Sequence, residues 1–178
     1  YHNGKERISK QLGDGKFLSQ ITKKNIVYNF RKNDLDNDGE GAPLTPIFHK
    51  LLVNQKKISL PVTILNIGGI ANITSVNTEN KMSSSDIGPG NCLIDQWIRA
   101  NSKKNYDSEG RIAKSGLVNR VILNQSLDNF YNNDISKKRS YDTKDFDLSF
   151  VRNLSLEDGA ATLTEFTAQI LSKKFFNK

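Results

Sequence analysis

One stretch restricts the possible folds of this chain more than any other: residues 60–97, LPVTILNIGGIANITSVNTENKMSSSDIGPGNCLIDQW. Residues 61–66 (PVTILN) form a near-continuous apolar and β-branched run, the pattern of a strand covered on both faces. Gly68-Gly69 makes a turn, and residues 70–76 return as a second strand. Residues 77–85 are polar and read as a loop, followed by Asp86 on an Ile-Gly-Pro-Gly loop. A helix is expected from about Cys92, with Asn91 as N-cap and Leu93, Ile94, Trp97 and Ile98 on its buried stripe. Asn91 and Asp95 share another face of that helix, so Asp86, Asn91 and Asp95 can converge on one cavity. Strands that end in glycines and helices that begin after them turn backbone N–H groups outward, and such a backbone can hold an anion.

Around this centre the chain alternates short elements with charged loops. A GDG turn at residues 13–15 precedes a short helix over 17–21, and residues 25–30 (NIVYNF) read as a strand. Residues 31–41 (RKNDLDNDGEG) read as a charged loop. Its acidic cluster fails the calcium-loop pattern, because Thr45 stands where the closing Glu is needed, and no metal site is expected. Pro46 opens a helix carrying Ile47, Phe48, Leu51 and Leu52. Further on, residues 116–131 suit an amphipathic helix with Leu117, Val118, Val121, Ile122 and Leu127 on its stripe. Residues 137–146 read as a charged loop, and 147–152 as a short helix or strand. Ser155-Leu156-Glu157-Asp158 resembles a capping box that starts a helix to about 175, with Leu163, Phe166, Ile170 and Leu171 on one stripe.

Composition removes several classes. The net charge is +7, from 26 Lys and Arg against 19 Asp and Glu. The lysines are scattered singly and in pairs, without the aromatic interleaving of a base-stacking platform, so no nucleic-acid partner is expected. An anionic small substrate fits the charge equally well. A single cysteine, Cys92, rules out a disulfide within the chain; beside Leu93 and Ile94 it reads as a small buried residue. There is no apolar run near the length of a membrane span and no signal peptide, so the cytoplasm is the expected location and no membrane partner is expected. The start at Tyr1-His2 suggests a fragment or a processed product.

From residue types alone, the glycine turn is either a plain hairpin or a phosphate-holding element, and Asp86 is either a turn former or a base. A phosphoryl-transfer enzyme needs donors around the transferring phosphate and a residue that positions the nucleophile, and this stretch can supply both. The motifs LNIGGIANIT and DIGPGNCLIDQW occur in order with QLGDG, NFRKNDLDNDGEGAPLTPIFH, YDSEGRIAKSG, KKRSYDTKDF and DGAATLTEFTA. Together they closely resemble the bacterial anhydro-N-acetylmuramic acid kinases, sugar kinases of the actin-like ATPase superfamily.

The resemblance implies an α/β fold of the actin-like (ribonuclease H-like) type, here incomplete, with a mixed sheet and flanking helices. Residues 1–58 would be the C-terminal part of a first kinase domain, and residues 59–178 the N-terminal part of a second. It implies an enzyme that uses water to open the anhydro ring of 1,6-anhydro-N-acetylmuramic acid. The enzyme then phosphorylates the 6-oxygen with ATP and Mg2+, giving N-acetylmuramate 6-phosphate in cell-wall recycling. Carried over, Asp86 is the base that activates water. Gly68 and Gly69, with Asn66, Asn72 and Gly88, are the phosphate and ATP residues. Arg31, Asp34, Gly41, Pro43, Asn91 and Asp95 are on the substrate side. The partners are the amino sugar and ATP, with room for a homodimer of the full-length parent. The chain departs from the family pattern at Asn29 (usually Asp), Glu40 (Gln), Ile87 (Thr) and Lys138-Arg139-Ser140 (Pro-Lys-Ser). It also lacks the family's N-terminal phosphate loop and C-terminal Gly-Gly-Gly segment, so alone it should not turn over ATP efficiently. Another amino-sugar kinase of the same fold, or a non-catalytic basic binding fragment, are the competing readings.

Overall fold

Two runs of residues fold among themselves, Tyr1–Ser59 and Leu60–Lys178. The computed structural model describes residues 2–3, 8–10, 12–39, 41, 44–132 and 141–176.

In the first unit β1 (His2–Asn3) and β2 (Ile8–Ser9) pair antiparallel. Asp14 then starts α1 (Gly15–Thr22): its carboxylate accepts the N–H groups of Lys16 and Phe17 at 2.9 and 3.1 Å. Those are two of the donors that a helix start leaves unsatisfied. The strand expected over 25–30 is not formed. Residues 25–29 are irregular, and Asn29 takes a left-handed φ of 58° that turns the chain into α2 (Phe30–Asp36). Asparagine tolerates that conformation better than most side chains, which accounts for an Asn here. The charged loop expected over 31–41 is therefore mostly helix. Pro46 lies in the first turn of α3 (Thr45–Gln55), as expected. Pro46 and Val53 are its buried residues, while Ile47, Phe48 and Leu51 are exposed.

In the second unit β3 (Val62–Ile67), β4 (Ile70–Val76) and β5 (Met82–Pro89) form one antiparallel sheet in that order. Two expectations are corrected. The sheet is antiparallel, not mixed, because short turns join each strand to the next. And β3 is an edge strand whose residues are exposed or half-buried, not covered on both faces. Much of the polar run 77–85, and the Asp86–Pro89 segment with it, is strand too. Ser83, Ser84 and Ser85 pair with Ser75, Thr74 and Ile73, so β4 supplies an order that the serines themselves do not encode. The turn between them is built by Asn77, whose Oδ1 accepts the N–H groups of Glu79 and Lys81 at 3.0 and 2.8 Å.

Among the described residues four α-helices complete this unit: α4 (Cys92–Asn101), α5 (Arg111–Ser115), α6 (Arg120–Asn132) and α7 (Leu156–Phe176). Helix α7 is the spine. Its Leu163, Phe166 and Ile170 are buried with Leu93, Trp97 and Ile98 of α4 and Leu123, Leu127 and Phe130 of α6. Each such side chain contributes about 1.5–3 kcal/mol of transfer free energy. Trp97 Nε1 donates to the Leu156 carbonyl at 2.9 Å, and Ser155 Oγ accepts the Asp158 N–H at 3.1 Å, the cap expected from sequence. Leu117 and Val121, expected on the stripe of α6, are exposed. The segment before α6 is instead tied to α7 through its backbone: Leu117 N–H donates to Asp158 Oδ1 and Asn119 N–H to Thr162 Oγ1. The helix therefore starts late and buries Leu123 and Phe130. The 147–152 stretch holds a 3₁₀ turn, Ser149–Val151, with Val151 buried. No described helix is long and apolar enough to cross a membrane.

Candidate functional site

The sheet register of the second unit brings together residues that the sequence separates. Asn66 of β3 pairs with Asn72 of β4, and Asn72 pairs with Asp86 of β5. Residues directly opposite in a sheet share a face, so two amides and a carboxylate stand in one row. The other face is apolar: Ala71, Ile73 and Ile87 are buried with Leu171 of α7. A one-residue irregularity makes this division possible. Ala71 pairs with Gly88 and Asn72 with Asp86, which leaves Ile87 as an extra residue in β5. Ile87 is thus a core residue, and an apolar side chain suits the position where the family pattern has Thr. Gly88 faces the same helix; a β-carbon there would come 2.6 Å from Ile170 Cγ2. Packing alone accounts for that glycine.

The Gly68-Gly69 turn is stitched to the start of α4. The Gly68 carbonyl accepts the Asn91 N–H at 2.8 Å, and the Gly69 carbonyl accepts the N–H groups of Gly90 and Cys92 at 2.9 and 3.1 Å. Asn91 Nδ2 adds a bond to the Ile67 carbonyl at 3.3 Å. Two expectations change here. Asn91 does not cap α4 with its side chain. The N–H groups of Gly90, Asn91 and Cys92 are taken by the turn carbonyls and are not available to an anion. The turn's own donors differ: the N–H groups of Gly68 and Gly69 have no hydrogen-bond partner among the described residues. Gly69 is exposed, and a β-carbon on it would meet nothing within 4 Å. On Gly90, by contrast, a β-carbon would land on the Gly68 carbonyl oxygen. Pinned carbonyls and unpartnered N–H groups, with Gly69 exposed, are what an anion-holding turn requires.

Asp86 is half-buried, and its Oδ2 accepts the Tyr141 N–H at 2.9 Å. Burial, and then the charges of Asp86 and Asp145, push the Tyr141 phenol up to about 12, so it stays neutral beside the carboxylate. Asp95 is joined to neither: its N–H donates to the Asn91 carbonyl at 2.9 Å, and no hydrogen bond among the described residues links its side chain to Asp86 or the turn. Burial pushes the Cys92 thiol above its ordinary value, which keeps it protonated and packed.

In the first unit, Arg31 and Asp34 both act on Gly41. Arg31 Nη1 donates to the Gly41 carbonyl at 2.7 Å, and Gly41 N–H donates to Asp34 Oδ2 at 2.7 Å. Gly41 is buried with a φ of 70°, a left-handed conformation that favours glycine. Two charged side chains thus hold both polar groups of one backbone position. Pro43, Glu40 and Arg139 lie outside the described residues.

Two features escaped the sequence reading. The Asn66–Asn72–Asp86 row depends on register, which residue spacing does not reveal. Tyr141 stands 55 residues from Asp86, and no motif singled it out.

The family model described as "Anhydro-N-acetylmuramic acid kinase" matches residues 1–177. Three curated relatives carry that same name. The chain is 56% identical to the one from Pelagibacter ubique over 173 residues, 96% of this chain and 46% of that protein. It is 43% identical to the one from Zymomonas mobilis over 164 residues, 92% of this chain and 44% of that protein. It is 39% identical to the one from Caulobacter vibrioides over 165 residues, 93% and 44% of the two chains. The chain therefore spans about half the length of the curated relatives it matches.

Proposed function

This chain belongs to the anhydro-N-acetylmuramic acid kinase family, and from that premise we propose that it forms the central part of a kinase acting on 1,6-anhydro-N-acetylmuramic acid. The observation that carries this reading is the exposed Gly68-Gly69 turn. Its unpartnered N–H groups lie two residues from a row of amide and carboxylate side chains ending at Asp86.

In this reading the turn fits a phosphate group: its donors are unused, and the space in front of Gly69 is open. ATP supplies the phosphoryl group, and Mg2+ offsets phosphate charge; no residue of this chain is assigned to the metal. Asn66 and Asn72 stand in one cross-strand row with Asp86 and supply amide donors to the phosphate side. Gly88 serves that side only indirectly, by letting β5 lie close on α7. Asp86 takes a proton from water as the water oxygen bonds to the anomeric carbon. The bond from that carbon to the 6-oxygen breaks, and the 6-oxygen accepts the phosphoryl group as ADP leaves. Arg31 and Asp34 hold Gly41, and these three with Pro43 are assigned to the sugar; Asn91 and Asp95 of the second unit are assigned to it separately. The fold that fits this role is the actin-like one, and the pathway is cell-wall recycling in the cytoplasm.

The test is Asp86→Asn in the full-length enzyme carrying this sequence. The rate should fall roughly a hundredfold to ten-thousandfold, the usual contribution of general-base catalysis. Labelled water should place its oxygen on the anomeric carbon of the product. A near-normal rate for the variant would remove Asp86 from the chemistry. Label absent from that carbon would point to a kinase for a different amino sugar.

A further inference from the structure

Asp86 is held by a residue to which the reading above gives no role. The bond from the Tyr141 N–H at 2.9 Å holds one carboxylate oxygen and limits how the group can turn. Tyr141 itself is not anchored through its hydroxyl. The Oη atom is buried with no hydrogen-bond partner among the described residues, and the residue is only 8% exposed. A sealed hydroxyl without a partner is a net cost to the fold, so what the side chain contributes to packing comes from its ring. The ring centroid lies 5.3 Å from that of Phe146, tilted by 47°. Phe146 stacks on Phe130 of α6 at 6.4 Å, and Phe130 meets Phe166 of α7 edge-on at 6.1 Å. Such contacts favour one arrangement over others beyond simple area burial. An aromatic chain thus runs from the core of α6 and α7 to the N–H that touches Asp86.

We propose that Tyr141 is a positioning residue for Asp86: its ring, held against Phe146, fixes the main-chain N–H that orients the carboxylate. The hydroxyl takes no part in binding substrate. This rests on the reading of Asp86 as the base, and the two can fail separately.

The experiment is a double-mutant cycle in the full-length enzyme carrying this sequence. Tyr141→Ala should lower kcat about tenfold to a hundredfold, the effect of a small misplacement of a reacting group. The KM values for sugar and ATP should stay within about twofold. Tyr141→Phe, which keeps ring and N–H, should bring kcat back to within about threefold of the parent. In an Asp86→Asn background, Tyr141→Ala should cost nothing further, because residues that act through one another are not additive. If Tyr141→Ala fails to fold by near-ultraviolet circular dichroism, Tyr141→Leu, which fills the slot without a ring, takes its place with the same expected outcomes. Additive losses in the double variant overturn the positioning role and leave Asp86 as the base. A raised sugar KM in Tyr141→Phe also overturns it, by making the hydroxyl a substrate contact. A fully active Asp86→Asn overturns the base reading itself.

Discussion

Gly69 and Gly90 are joined by one hydrogen bond of 2.9 Å, yet a methyl group would affect them in opposite ways. At Gly69 it meets open space, so Gly69→Ala should leave stability within about 0.5 kcal/mol of the parent. If the turn holds phosphate, the same change should raise the KM for ATP in the full-length enzyme. An unchanged KM would make the turn a plain hairpin. At Gly90 the methyl strikes the Gly68 carbonyl oxygen, and Gly90→Ala should destabilise by about 1–3 kcal/mol as the turn shifts. Tyr141 offers a separate test. Its phenol pKa is raised from 10.0 to about 12 in the fold, by burial first and then by Asp86 and Asp145. The associated stability is fully present below the ordinary value and is lost as pH rises through the folded one. Urea midpoints measured at about pH 9 and about pH 11.5 should therefore differ less in Tyr141→Phe than in the parent. Tyr131 and Cys92, both raised by burial, keep some of the dependence in both proteins.

Helix α7 carries most of what the second unit can lose. Leu163 and Ile170 are fully buried on it, so Leu163→Ala should cost about 2–5 kcal/mol in a denaturant titration. A loss under about 1 kcal/mol would mean that the α4–α6–α7 core is not packed as described. This helix was legible in the sequence, because its stripe repeats at helical spacing over many residues and Ser155 marks its start. Helices α1 and α4 and the β3–β4 hairpin were legible for similar local reasons. Strand β5 was not: Ser83-Ser84-Ser85 has no apolar alternation, and only pairing with β4 makes it a strand. The strand expected over 25–30 did not form: residues 25–29 pair with no described strand, and Asn29 turns left-handed into α2. Within the site, Gly68, Gly69 and Asp86 could be picked out by type and spacing. The row that joins Asp86 to Asn66 and Asn72, and the bond from Tyr141, depend on long-range register and docking.

At the scale of the whole chain, the two units are unequally built. In Tyr1–Ser59 the buried apolar side chains among the described residues are Leu35, Pro46 and Val53, while Phe17, Ile21, Phe30, Ile47, Phe48 and Leu51 are exposed. In Leu60–Lys178 a continuous core unites α4, α6 and α7, and a second cluster joins the sheet to α7. Protection from hydrogen exchange follows buried contacts. Amides of α4, α6 and α7 should therefore exchange far more slowly than those of α1, α2 and α3, as read by mass spectrometry of peptides from the intact chain. Equal protection in both units would show that contacts beyond those described hold the first one.

The extra residue in β5 also decides what the sheet offers to α7. Between Asp86 and Gly88 the chain counts one residue more than β4 does opposite. The carboxylate stands on the polar face while Ile87 and Gly88 meet α7. A substitution at 87 changes one side chain. Removing Ile87 would restore even pairing with Asp86 still opposite Asn72 and Gly88 still opposite Ala71, while taking a fully buried side chain out of the cluster on α7. The extra residue therefore adds a core contact without changing the side on which the carboxylate stands.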